Sequence, residues 1–288
     1  MEKNSALKKL ALALALLAAA AAARAEALRV VSGLVNPESA LIGWDGRVYV
    51  SQIGEFGKDG DGSIAVIGKG GKLELFAKGL DDPKGLAVLN KNLYVTDKNR
   101  IWKIDSTGKA RVFVKLEAFP QPPLFLNDLV FDSRGNLYVS DTGDIEKGGK
   151  GALFRVNHLG KVSLVINEAQ EPRIKSPNGL LMDGPDKLLV VDFASGELNR
   201  LNLKTKKLEK VADGFGGGDG LVRDKAGVLY VSDWKGGHVW RLNLKQKDAK
   251  PQQFEQTFQA SADIGLDRTG KFLLVPDMKA GTVTWLPK

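Results

Sequence analysis

Hydrophobic and polar positions along this chain alternate on a short wavelength, and the alternation returns in matched groups. In Phe125 to Asp141, FLNDLVFDSRGNLYVSD, a short apolar run is broken by polar residues at Asp132 to Gly135, and a second apolar run ends on Asp. Related text occupies Asn36 to Gln52, Asp82 to Asp97, Ser176 to Asp192, Gly217 to Asp233 and Ser261 to Asp277. Each copy continues into a third run (IAVIG, IWKID, LFRVN, LNRLN, VWRLN, VTWLP). Five copies then have a fourth: LELFAKG, ARVFVK, VSLVIN, LEKVAD and a ragged PQQFEQTF. Short runs rich in β-branched and aromatic residues, bounded by Asp, Gly and Asn, predict antiparallel meanders. No helical periodicity of useful length competes with them. A period of about 40 to 50 residues is that of a propeller or solenoid. The sixth copy stops after three runs, and Leu28 to Leu34, LRVVSGL, resembles the fourth-run text LELFAKGL. The pattern therefore predicts an all-β, six-bladed β-propeller over residues 26–288, closed by an N-terminal strand that completes the last blade and leaves no open sheet edge.

The first 25 residues read differently. Lys3, Lys8 and Lys9 precede an apolar stretch from Leu10 to Ala23, and Ala23-Arg24-Ala25 offers small residues at the two positions a signal peptidase reads. This predicts a signal peptide over residues 1–25, cleavage before Glu26, and an exported, periplasmic or secreted protein. The stretch is short for a membrane anchor, and no later segment predicts a span. The formal net charge is +8, and loss of residues 1–25 leaves about +5, spread along the chain without basic stripes, which argues against nucleic acid as a partner. With no cysteine, disulfides, thiolate metal sites and Cys nucleophiles are excluded.

Where the repeats differ is where chemistry is to be sought. Eight residues before each turn glycine, or its equivalent, lies the start of the blade's first run, and that column reads Glu38, Lys84, Asn127, Asn178, Asp219 and Ala262. In a propeller the first strand lines the central channel, so equivalent positions converge on the axis. Four of the six entries carry a carboxylate or carboxamide, hard oxygen donors that suit Ca²⁺, Mg²⁺ or Mn²⁺. Two anions confined together without a cation would repel, and one would hold a proton. The competing account is that Asn and Asp before strands bond the turn backbone, which fits Glu38 least.

The blade register, with NPES, FLND, SPNG and GGDG at the first runs, resembles the senescence marker protein/gluconolactonase (regucalcin-like) family over essentially all of residues 26–288. The resemblance implies a six-bladed propeller holding one divalent cation, Ca²⁺ first and Mg²⁺, Mn²⁺ or Zn²⁺ as alternatives. It implies Glu38, Asn178 and Asp219 as metal ligands, Asn127 as a contact to a water or substrate, and Asp219 as general base. It further implies hydrolysis of a lactone or related ester, a small-molecule substrate. One position departs. Where the family often has Arg two residues before the Asn-Asp pair, this chain has Phe125, which weakens the case for a sugar lactone. Phe125 and Lys84 become candidate substrate contacts, with Arg173 a more distant source of positive charge. The alternative to a hydrolase is a non-catalytic ligand- or protein-binding propeller with a structural axial ion.

Other features read as structure. Asp97, Asp141, Asp192, Asp233 and Asp277 end the second run in five copies, and repetition in nearly every blade points to turn capping. His158 and His238 lie off the column, which argues against a His-based triad. Asp59 to Gly62 lacks the Glu of a calcium loop and reads as a mouth loop. Gly214 to Gly218 lacks the Lys-Ser/Thr of a phosphate loop and reads as a tight turn into Asp219. Phe56, Phe125, Phe215 and Trp234 are near enough to the mouth to shape a pocket, although core packing is the reading preferred for them.

Overall fold

The computed structural model describes residues 28–246 and 249–288, so the expected signal peptide lies outside the described residues. The described chain folds into six four-stranded antiparallel sheets. Their innermost strands are Pro37–Ile42, Pro83–Leu89, Leu126–Phe131, Pro177–Met182, Gly218–Arg223 and Gly265–Leu266. In blades one to five the four strands follow one another in chain order, as expected of meanders. Blade six takes its outermost strand, Arg29–Ser32, from the beginning of the propeller, and Val31 pairs with Val283 and Arg29 with Trp285. The predicted closure is thus present. Two elements are shorter than the repeat suggests. The ragged PQQFEQTF contributes only Gln252–Gln253, and the inner strand of blade six only Gly265–Leu266.

The core lies between blades. Alternate residues on neighbouring sheets interdigitate, as where Tyr94 of blade two meets Phe131 of blade three edge-on at 5.0 Å, with Phe113 of its own blade edge-on at 5.2 Å. Each interface buries a run of Leu, Ile, Val and aromatic side chains. The hydrophobic effect therefore acts around the ring, and the inner strands are free to carry polar groups.

Aspartates at the ends of the second strands fix the start of those inner strands. Asp141 accepts from the Leu124 and Phe125 N–H groups, Asp192 from Lys175 and Ser176, Asp233 from Gly217, and Asp277 from Gln259 and Ala260. Asp97 accepts from Asp81 and Asp82 at 2.9 and 2.6 Å, and also from the Trp102 indole. In blade one Gln52 does the same work, its Oε1 accepting from Val35. The structural reading of this repeated Asp therefore holds.

Candidate functional site

Each column residue sits at a fault in its sheet. In blades one to five the register between the first two strands slips just where the column falls: Pro37 pairs with Gln52 but Ala40 with Val50, and the same shift occurs at Pro83/Leu86, Leu126/Leu129, Pro177/Leu180 and Gly218/Leu221. Two residues then oppose one, the count of a β-bulge, which re-aims a side chain out of the pleat. The ladder bond lost there is replaced by a hydroxyl. Ser51 accepts from the Ser39 N–H, Ser140 from Asp128, and Ser232 from Gly220, at 2.9, 2.9 and 2.7 Å. The glycine-rich turn does its expected work: Gly216 takes φ +59°, and a Cβ on Gly218 would lie 2.2 Å from Val191.

The bulges bring the column together. Glu38, Lys84, Asn127, Asn178 and Asp219, from five blades, line one pocket of about 250 Å³, and all are nearly fully buried. Ala262 is buried without reaching it. Asn178 Nδ2 donates to Asp219 Oδ1 at 3.2 Å. Asn127 Nδ2 donates to Thr142 Oγ1 at 3.0 Å, and that hydroxyl in turn donates to the Pro177 carbonyl. These bonds fix both carboxamides with their oxygens free. Glu38 Oε2, Asn127 Oδ1 and Asn178 Oδ1 are all buried without a partner among the described residues. A buried unpaired oxygen costs about 1–3 kcal/mol, so three in one pocket call for a hydrogen-bond donor or a cation that the described residues do not supply.

The charges agree. Burial pushes Glu38 well above the usual carboxylate range, helped by repulsion from Asp219 and Asp263. Burial, then Asp263, does the same to Asp219. Directly after column positions, the buried Asp128 and the partly buried Asp263 add two more acids, the second pushed up to about 6 by desolvation. Lys84 is the cation among them. Burial lowers its pKa, against the pull of Asp82 and Glu38. Its Nζ donates to the Asp82 carbonyl at 3.0 Å and lies 4.2 Å from the centre of the Phe125 ring. Hard oxygen donors with excess negative charge fit a divalent cation. Among the described residues no three Asp, Glu, His or Cys side chains gather as a metal cluster. Here the donor set would combine carboxylates with carboxamides.

A second ring was not singled out in the sequence. The residue after each second-strand end reads Ile53, Lys98, Thr142, Phe193, Trp234 and Met278, and all but Lys98 line the pocket. Phe56 and Ile145, half exposed at 51% and 56%, complete the mouth. Phe56, Phe125 and Trp234 therefore belong to the pocket wall rather than to the core alone. Phe215 does not: it is fully buried between blades. Arg173 is also elsewhere, paired with Glu171 at 2.9 Å. His158 and His238 do not line the pocket.

The SMP-30/gluconolactonase/LRE-like region matches residues 80–256, a segment that includes Asn127, Asn178 and Asp219 and leaves Glu38 outside. No curated protein matches the sequence. Among solved structures, a calcium-binding regucalcin from Agrobacterium tumefaciens is 18% identical, with TM-score 0.68 over 89% of this chain and 90% of that one. A gluconolactonase from Xanthomonas campestris is 16% identical, with TM-score 0.68 over 93% of both chains. A streptogramin B lyase, 12% identical, gives TM-score 0.63 over 91% of this chain and 97% of its own. At these identities the likeness is one of fold.

Proposed function

This chain belongs to the SMP-30/gluconolactonase/LRE-like family, and from that premise we propose that it is a divalent-cation-dependent hydrolase opening a lactone or a related ester in the axial pocket. The observation that carries the reading is the set of three unpaired buried oxygens, on Glu38, Asn127 and Asn178, in one pocket with Asp219. Glu38, Asn178 and Asp219 would hold the cation, Ca²⁺ being the first choice. When bound, it supplies Lewis acidity to a carbonyl and acidity to a water at neutral pH.

The chain's own groups do the rest. Water adds to the acyl carbon, the acyl C–O bond breaks, and the alkoxide leaves as a hydroxyl after protonation. Asp219 keeps Oδ1 on Asn178 and accepts the water's proton at Oδ2, then returns it to the leaving oxygen. Asn127, clamped through Thr142, orients the substrate. Lys84 stands beside these carboxylates as the one ammonium lining the pocket among the described residues, where negative charge develops on the carbonyl oxygen. The apolar ring keeps the reacting carbonyl dry, which strengthens each of these electrostatic effects.

The test is hydrolysis of a panel of lactones and aryl esters with Ca²⁺, Mg²⁺, Mn²⁺ or Zn²⁺ and with chelator. Activity is expected with at least one cation, lost on chelation, and lowered about a thousandfold in Asp219→Asn, as befits a base removed together with the ligand's negative charge. Turnover that survives both chelation and Asp219→Ala would discard the mechanism. Ion-dependent melting without turnover would instead favour the binding propeller. We further propose that the chain is exported, from the apolar stretch Leu10 to Ala23. N-terminal sequencing of the mature protein should begin at Glu26, and an intact Met1 would refute it.

A further inference from the structure

The pocket wall and its rim say what kind of molecule would suit it. Resting on the hydrolase reading above, we propose that the substrate is an amphipathic anion: an ester or lactone with an apolar body, aromatic or alkyl, and a negatively charged group distal to the reacting carbonyl.

The first half follows from the second ring. Above the polar floor the pocket is walled by Ile53, Phe125, Phe193, Trp234 and Met278, with Phe56 at the mouth, and Thr142 there is committed to Asn127 and Pro177. Lys84, the one cation among the described lining residues, belongs to the polar column rather than to this wall; it donates to the Asp82 carbonyl, lies against the Phe125 ring, and in the hydrolase reading serves the reacting carbonyl. A polyhydroxylated ring placed against this wall would lose its hydrogen bonds to water and find none in return from the wall, which is unfavourable for each buried hydroxyl. An apolar body meets no such penalty, and burying it is favourable.

The second half follows from the rim. Phe193 and Trp234, on blades four and five, lie 6.2 Å apart, and each carries a lysine ammonium over its ring. Lys235 Nζ is 4.3 Å from the centre of Phe193 and Lys279 Nζ is 4.7 Å from that of Trp234. Among the described residues, neither lysine has an acidic partner within ion-pair distance. Lys235 is also held in place: its stem crosses Gly217, where a Cβ would lie 2.6 Å from Lys235 Cγ, and its Nζ donates to the Phe193 carbonyl at 3.1 Å. On the blade-one side, by contrast, Lys58 and Lys98 are tied to Glu55, Asp59, Asp61 and Asp82. The uncompensated positive charge around the mouth thus stands over the two rings that line the pocket. An anionic group at that rim, with its apolar body against Phe193 and Trp234, satisfies both features at once. Cation–π contacts and a shared anion are compatible uses of one ammonium.

Binding separates this inference from the hydrolase reading. Tryptophan fluorescence of the full chain, with Trp234→Phe to identify the responding residue, would be titrated with three probes: 4-phenylbutyrate, neutral 4-phenylbutanol and gluconate. The expected order of affinity is phenylbutyrate over phenylbutanol by about fivefold, the scale of exposed charge pairs, with gluconate weakest. That preference should vanish in Lys235→Gln/Lys279→Gln and shrink with added salt. Both lysines are exposed, so the double variant should melt like the parent chain. Equal affinity for the acid and the alcohol would overturn the anionic half, and tighter binding of gluconate would overturn the apolar half. The expected order without turnover of any ester would leave this inference standing and remove the hydrolase instead. Turnover without the order would do the reverse.

Discussion

Thr142 shows how much can depend on one hydroxyl. It accepts from Asn127 Nδ2 and donates to the Pro177 carbonyl, so it sets which end of the carboxamide faces the pocket. Thr142→Val keeps the shape and removes both bonds. Hydrolytic kcat/KM is expected to fall about tenfold and stability by about 1–2 kcal/mol, while Thr142→Ser should restore most of the rate. A Val variant with wild-type kinetics would mean that Asn127 does not depend on this clamp. At this scale the sequence was legible in part. The column of Glu38, Asn127, Asn178 and Asp219 stood out because four oxygen-bearing side chains share one register. The second ring shares a register too, but Ile53, Phe193, Trp234 and Met278 look like any core residue in a β-rich chain. Only Thr142 among the ring's lining residues is polar, and a lone Thr after an Asp carries no signal.

Between residue and ring stands the blade, whose inner strand is held by two devices, the capping carboxylate and the bulge hydroxyl. Asp141 is 1% exposed and accepts from Leu124, Phe125 and Gly143. Asp141→Ala should therefore lower the unfolding free energy by about 2–4 kcal/mol, read by urea denaturation, since several N–H groups lose a charged acceptor together. Ser140→Ala, which removes one neutral acceptor from the Asp128 N–H, should cost about 1–2 kcal/mol. If Asp141→Ala proved the milder of the two, the capping account would fail. The strands themselves were readable because alternation and turn residues are local properties. The bulges were not, because a bulge is a two-against-one count that exists only once the partner strand is known. The repeated Ser in YVSQ and YVSD was its trace: a hydroxyl one residue before the cap, standing in for the missing ladder bond.

Across the whole molecule, charge gathers on the axis and closure occurs at one seam. Glu38, Asp128, Asp219 and Asp263 all have raised pKa values, with burial the largest cause, and Asp263 reaches about 6. Ordinary carboxylates titrate near about 4, so between pH 4 and 6 the folded state keeps protons that the unfolded state has released. Stability conferred by this cluster is then present at low pH and lost as pH rises. The surface aspartates whose pKa values are lowered, such as Asp45 and Asp183, act below that window. Chelated protein should melt at a lower temperature at pH 7.5 than at pH 5, and added Ca²⁺ should reverse the loss at pH 7.5. A chelated chain that melts higher at pH 7.5 would show that the axial acids are compensated by other means. At the seam, Val31 is 6% exposed and packs with Leu34, Val283 and Trp285. Val31→Asp should cost about 3 kcal/mol or more and expose the outer edge of Thr282–Pro287 to other chains, which light scattering on heating would detect. That seam also orders events during synthesis. Its outer strand leaves the ribosome before any other strand of the ring, and its partner leaves last. A chain cut short before Thr282–Pro287 therefore leaves Arg29–Ser32 without its partner, and the ring can close only once that strand is present.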